Sequence, residues 1–175
     1  RYSYSSNEKK GLSNPVVGRT IEDKDDNLWI GTEGGGLNYY NRRTREFKWY
    51  RPQEGRNSIS HNNVKALYYD ADKEIIWIGT HLGGLNKLDI RSGHFTHYRM
   101  EEGNPNTLPS DIIRDIIPYK SLLIIATQNG VCLFDPANGQ CQQLFKDSKE
   151  GKSIKMVADV TFDSEGTLWI AATGE

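Results

Sequence analysis

Short runs of apolar and aromatic residues alternate along the chain with turns rich in Gly, Asp and Asn, and the alternation recurs. The clearest unit begins with the polar loop Asn57 to Asn63, followed by the β-prone run Val64 to Tyr69 and the turn Asp70 to Glu74. Ile75 to Thr80 is a second run, closed by Leu82-Gly83-Gly84, and Leu85 to Leu88 is a third. The turn Asp89 to Gly93 then leads to a fourth run at His94 to Tyr98. Four short β segments separated by such turns predict a four-stranded antiparallel meander, with strands a to d in chain order.

Strand b is apolar at successive positions rather than alternate ones, as in Leu28-Trp29-Ile30 and Ile76-Trp77-Ile78. Both of its faces must therefore be covered. An antiparallel sheet usually leaves one face to water, but sheets stacked face to face, as in the blades of a propeller, cover both. Strand d (Glu46 to Tyr50, His94 to Tyr98) is more polar, which suits an outer rim. Gly31 and Gly79, with Gly34 to Gly36 and Gly83-Gly84, are expected where strand b turns tightly into strand c.

The pattern is periodic. Leu28-Trp29-Ile30-Gly31-Thr32 returns as Ile76 to Thr80, in degraded form as Leu123 to Thr127, and opens again at Leu168-Trp169-Ile170; the steps are 48, 47 and 45 residues. Such a period signals a propeller or similar array. The chain is thus read as an all-β, partial β-propeller of about three and a half four-stranded antiparallel blades. Residues 1–10 would end a preceding blade, with Tyr2-Ser3-Tyr4 as a leftover strand d. Blades would follow at 11–50, 51–98 and 99–145, with the first half of a fourth at 146–175. An open arc exposes apolar faces and strand edges at its ends. The parent chain is expected to continue both ways, and the arc to be capped by a neighbour or to form a homodimer.

Composition narrows the function. A formal net charge of −1 with scattered basic residues gives no concentrated positive face, so nucleic acid is excluded as a partner. No apolar stretch approaches a membrane span. Arg1-Tyr2-Ser3-Tyr4 has neither a start Met nor a signal-peptide core, and reads as the beginning of an excised piece. The two cysteines, Cys132 and Cys141, fall on neighbouring strands. A disulfide would fit an oxidising compartment, but Cys141 occupies the slot of Phe47 and Phe95, where a small hydrophobe packs, and packing is the preferred reading.

No catalytic or metal-binding constellation stands out, and no cofactor is expected. Asp23-Lys24-Asp25-Asp26-Asn27 has the first ligand spacing of a calcium loop but lacks Gly at the sixth place and Glu at the twelfth, so it reads as a turn. Asp163-Ser164-Glu165-Gly166-Thr167-Leu168-Trp169 looks like the structural Asp-box turn of sialidase propellers. His61, His81, His94 and His97 form no ligand-spaced pair, and Gly34-Gly35-Gly36 leads into a strand rather than a phosphate-binding helix. Binding remains. In a propeller the d–a and b–c loops open on one face around the central funnel. The d–a candidates are Asn14, His61, Asn62, Asn63, Ser110 and Asp111. The b–c candidates are Thr32, Glu33, His81, Leu82, Gln128 and Asn129. These positions vary between copies while the scaffold repeats, and their amide, hydroxyl and carboxylate groups suit sugar hydroxyls. Trp49 aligns with His97 and Gln143, which reads as an exposed rim contact for a ligand or a neighbouring subunit.

The residues Leu12-Ser13, Asn27 to Thr32, Gly35-Gly36-Leu37-Asn38-Tyr39-Tyr40-Asn41 and Phe47 to Tyr50 resemble the two-component regulator propeller repeat. So do Ile76 to Thr80, Gly83 to Asp89 and Phe95 to Tyr98. The third copy departs at Ile124, Ala126 and Val131, and the fourth at Ala171-Ala172. The resemblance implies a seven-bladed periplasmic sensor propeller of a hybrid histidine kinase and response regulator, anchored in the inner membrane. It implies an oligosaccharide ligand, no enzymatic activity in this segment, and partners in the remaining blades and signalling domains. The alternatives are a propeller lyase or glycosidase with catalytic groups in other blades, and a protein-interaction scaffold.

Overall fold

The computed structural model describes residues 2–145 and 154–173. Fourteen strands run in order: β1 Val17–Glu22, β2 Leu28–Thr32, β3 Leu37–Asn41, β4 Glu46–Tyr50, β5 Val64–Asp70, β6 Ile75–Thr80, β7 Leu85–Asp89 and β8 Phe95–Tyr98, then β9 Ile113–Tyr119, β10 Leu122–Thr127, β11 Gly130–Phe134, β12 Cys141–Leu144, β13 Val157–Phe162 and β14 Leu168–Ala172. Among the described residues they form three four-stranded antiparallel sheets and one two-stranded sheet, each in simple meander order. The sheets are stacked as blades: β1 packs on β5, β5 on β9 and β9 on β13, so the first strand of each blade is innermost and the fourth is the outer edge.

The apolar pattern of strand b is explained by this stacking. β6 is buried at every residue. Trp29, Leu37 and Val64 join Ile76, Ile78 and Leu88 in the core between blades 1 and 2. Trp77 and Leu85 join Ile113, Ile125 and Phe134 between blades 2 and 3. Ile124 and Ala126 meet Val157 and Val160 between blades 3 and 4. Trp29 and Trp77 are each 1% exposed, whereas Trp169 on β14 is 60% exposed, because no sheet among the described residues covers its far side.

Three expectations are corrected. Gly31 and Gly79 do not make the b–c turns: they lie inside β2 and β6. A Cβ at Gly31 would stand 2.6 Å from Val64 Cγ1, and one at Gly79 2.5 Å from Ile113 Cγ2, so the glycines let the next blade approach. The turns themselves use Gly36 (φ +80°) and Gly84 (φ +70°) in the left-handed region. The second correction concerns Tyr2-Ser3-Tyr4, which forms no outer strand. Instead, Tyr4 makes a single parallel bridge to Leu12.

The third correction concerns Trp49 and the first blade's outer face. The segment through the 3-10 turn Glu8–Lys10 lies against β4. Tyr2 packs on Tyr40 and Phe47, with ring centroids 4.6 and 5.8 Å apart. The Glu8 carboxylate accepts the Trp49 backbone N–H (2.6 Å), and the Trp49 indole N–H donates to Gly11 O (2.9 Å). Trp49 is therefore half-buried, under the Arg51 guanidinium, and holds the N-terminal segment. This covering also satisfies an edge N–H that would otherwise invite pairing.

Repeated polar ties complete the scaffold. In blades 1 and 2 a buried Asn on strand c exchanges two hydrogen bonds with a Ser of the entering loop. Asn38 accepts from Ser13 N–H (2.8 Å) and donates to its Oγ (2.7 Å), and Asn86 does the same with Ser60 (2.8 and 2.8 Å). Asp23 accepts the N–H groups of Asp25 and Asn27 and the Trp29 indole N–H; Asp163 does so for Glu165, Thr167 and Trp169. Both Asp-rich segments are thus turns whose carboxylates anchor a strand-b tryptophan. Glu74 bridges Lys24 of blade 1 and Arg91 of its own blade. Cys132 and Cys141 are buried, unbridged thiols. Residues 146–153 and 174–175 of the expected fourth blade lie outside the described residues.

Candidate functional site

The d–a and b–c loops meet in one hydrogen-bonded seam. Within blades, the first residue after strand b donates to the residue before strand a: Glu33 N–H to Val16 O (3.0 Å), His81 to Asn63 O (3.0 Å) and Gln128 to Ile112 O (2.9 Å). Between blades, Gly36 N–H donates to Asn62 O (2.7 Å) and Gly84 N–H to Asp111 O (2.9 Å), while Glu33 and Asn63 form an isolated bridge. A buried threonine hydroxyl closes each b–c turn, from Thr32 to Gly36 O, Thr80 to Gly84 O and Thr127 to Gly130 O.

The varying loop positions divide into two kinds. Asn14, His61 and Ser110 occupy one aligned position, and each accepts the backbone N–H two residues on: Val16 (2.8 Å), Asn63 (3.1 Å) and Ile112 (3.1 Å). Their chemistry differs but their task in the turn is shared. Of the others, Thr32 is buried in its turn, Asn63, His81, Asp111 and Gln128 are half-buried, and Glu33, Asn62, Leu82 and Asn129 are exposed. Glu33 is exposed and paired with Lys65 of β5; the hydrogen bond from Lys65, then its charge, holds the Glu33 carboxyl below its ordinary value. The His61 and His81 ring centroids are 6.4 Å apart. Burial first, then the charges of His81 and Arg99, lowers the His61 pKa. His81 Nδ1 is buried without a hydrogen-bond partner. Arg99 donates to Leu82 O (3.2 Å) and to Asp111 Oδ2 (3.4 Å). Leu82 is exposed at φ +74°, where blade 1 has Gly34; a bulky residue held there stores strain, a feature that clusters at functional sites.

The structure therefore gathers Glu33, His61, His81, Leu82 and Asp111 on the blade 1–2–3 side of the seam, with Lys65 and Arg99 added. Asn62 and Asn129 are exposed and Gln128 half-buried on the same face, Asn14 and Ser110 are spent in turns, and Trp49 lies apart on the outer strand. Lys65 escaped the sequence reading because it lies on a strand, and Arg99 because only the fold brings it to Leu82 and Asp111. A second cluster was missed on the inner strands. Arg19 of β1 reaches Asp115 of β9 (3.1 Å) and Asp159 of β13 (3.8 Å), with Ala66 at the same strand position in the blade between. Burial, then the hydrogen bond to Asp159, raises the Asp115 pKa against the pull of Arg19. The sequence signal was an inner-strand position occupied by Arg, Ala, Asp and Asp in successive copies.

A cleft of about 230 Å³ is lined by Trp49 with Arg51 and Asn57, and two wider clefts lie elsewhere. One of about 740 Å³ runs along Met100 to Pro105 and Gln143, and one of about 490 Å³ along Asn106, Leu133, Asp135 and Gln140. Neither holds a residue predicted from sequence as a binding residue.

Residues 11–34 and 58–81 match the family model of the two component regulator propeller. No curated protein matches the chain. Among solved structures, the chain is similar to the extracellular domain of the protein designated hybrid two component system BT3049 from B. thetaiotaomicron. They are 26% identical with a TM-score of 0.81, over 92% of this chain and 22% of that one. For the extracellular domain of BT4673 from the same organism the identity is 25% and the TM-score 0.74, over 99% and 24%. The chain thus spans less than a quarter of the length of these two structures. A gluconolactonase from Xanthomonas campestris shares the fold alone, at 14% identity and TM-score 0.62 over 98% of this chain and 57% of that one. The chain is a β-propeller arc that carries two-component regulator propeller repeats in its first two blades.

Proposed function

We propose that the chain is the ligand-sensing part of an extracytoplasmic propeller belonging to a hybrid two-component receptor. The observation that carries this reading is the seam: carboxylates, imidazoles and cations from consecutive blades converge where the loop backbones of those blades are bonded to one another. A molecule held there touches more than one blade. Its binding free energy can therefore favour one arrangement of the sensor over another, which is what signalling requires. The ligand is an oligosaccharide, whose hydroxyls are met by Glu33, His81 and Asp111 and by the amides of Asn62, Gln128 and Asn129. The receptor sits in the periplasm as a homodimer anchored in the inner membrane and passes the signal to a kinase outside this segment. The segment itself performs no chemistry.

A glycan array combined with thermal-shift measurements tests the reading, with product analysis of every hit. Binding that raises Tm, is weakened by Glu33→Ala or His81→Ala and leaves the glycan intact supports it. Cleavage or elimination of the glycan replaces the sensor by an enzyme, and absence of any glycan hit removes the oligosaccharide. A mass of one protomer by light scattering at high concentration removes the homodimer.

A further inference from the structure

Blade 3 departs from blades 1 and 2 at two neighbouring places at once. Where those blades tie Asn38 to Ser13 and Asn86 to Ser60, blade 3 has Cys132 and Pro109. Proline offers neither the N–H nor the hydroxyl that the amide needs, so an asparagine at 132 would bury an unpaired amide. The other departure is on strand d, where Phe47 and Phe95 give way to Cys141. β11 and β12 pair Cys132 with Gln143 and Phe134 with Cys141, which sets the two cysteines diagonally on one face of the sheet. Their Sγ atoms are 3.2 Å apart, and both residues are buried, at 0% and 4% exposure. Only a small side-chain adjustment separates this contact from a bond of about 2.0 Å.

We propose that Cys132 and Cys141 are an oxidation site, a disulfide-forming pair that staples strand c to strand d where the Ser–Asn tie of the other blades is missing. Formation of the S–S bond releases two protons and two electrons. The acceptor is a second disulfide, that of an oxidised thiol–disulfide oxidoreductase or a small-molecule disulfide, which is reduced to two thiols. In the folded chain the pair is sealed from such an acceptor, so the exchange belongs to folding, before β12 docks. The supply of oxidant rests on the extracytoplasmic reading above, but the juxtaposition of the sulfurs does not.

The test is refolding in a mixture of reduced and oxidised glutathione, then denaturation with an alkylating agent and intact-mass measurement. The expected species is about 2 Da lighter than the reduced chain, reflecting two lost hydrogens. It takes up no alkylating agent until reductant is added, and digestion yields a peptide linking 132 to 141. Two alkylated thiols, a glutathione adduct alone or a bond between two copies overturns the proposal. Cys132→Ala, which leaves one thiol, must lose the mass difference. The readout does not involve ligand or location, so its failure leaves the sensor reading untouched, and the reverse holds.

Discussion

His61 holds Asn63 in place, its ring Nδ1 accepting the Asn63 backbone N–H at 3.1 Å. Asn14 and Ser110 make the same bond in the neighbouring blades. An imidazole that accepts at Nδ1 carries its proton on Nε2 and is neutral, which agrees with the lowered pKa that burial and the nearby His81 and Arg99 impose. His61→Asn and His61→Ser should preserve the turn, because the chain already uses both residues in this position. His61→Ala should cost about 1 kcal/mol in urea unfolding, the worth of one hydrogen bond. Equal stability of the Ala and Asn variants would contradict the role.

Burial of the same ring, with the charges of His81 and Arg99 beside it, sets a pH dependence. A histidine with a folded pKa below its unfolded value of about 6.5 binds protons more readily when unfolded. Its contribution is complete above about pH 6.5 and is lost as pH falls from there toward the folded pKa. The wild type should therefore run level with His61→Asn above that pH and lose stability relative to it below. A wild type that gains stability over the variant on acidification would reverse the assignment.

Asp115 has the opposite sign. Its pKa is raised by burial and by the hydrogen bond to Asp159, so the folded chain holds this proton more tightly than the unfolded one. Relative to Asp115→Asn, the wild type should gain stability as pH falls through the folded pKa, with the gain complete below about 3.9. Paired pH titrations of urea midpoints measure this. A flat difference curve would mean that burial does not raise the Asp115 pKa.

Gly79→Ala places a methyl group 2.5 Å from Ile113 Cγ2, where neither strand can move without disturbing the blade 2–3 core. A loss of about 1–3 kcal/mol is expected from such overpacking. A neutral result in chemical denaturation would show that the blades are spaced more widely than described.

The strand-b tryptophans should behave differently from one another. Trp77→Ala should cost about 3–5 kcal/mol, as for a large side chain removed from a core. Trp169→Ala should cost about 1 kcal/mol or less, since it loses an exposed ring and one hydrogen bond to Asp163. Iodide should quench Trp169 emission most and leave that of Trp29 and Trp77 unchanged, and Trp169→Phe should leave only the weaker quenching of the half-buried Trp49.

Much of the fold was legible because stacking leaves a compositional mark. A strand that is apolar at successive positions, as in Ile75 to Ile78, has no wet face. The Asp-rich turns ahead of Trp29 and Trp169 also declared themselves, since one carboxylate serves two backbone donors and an indole. The glycines were misjudged because a residue type does not reveal whether its missing Cβ serves a turn or a close neighbour; only the distance to Val64 or Ile113 does so. The site was half legible. Loop residues such as Glu33 and His81 could be placed on the funnel face. The partners Lys65, Arg19 and Asp115 could not, because they are brought to it by sheets far apart in sequence. The shared task of Asn14, His61 and Ser110 was hidden because three different side chains can offer the same lone pair.

The segment from Tyr2 to Leu12 gives the arc a polarity. One flank is already sealed by the chain's own aromatic rings and the Glu8 carboxylate, while the opposite flank presents a bare indole. Among the described residues, a further sheet would meet an exposed indole on the Trp169 side and the rings of Tyr2 and Tyr4 on the other.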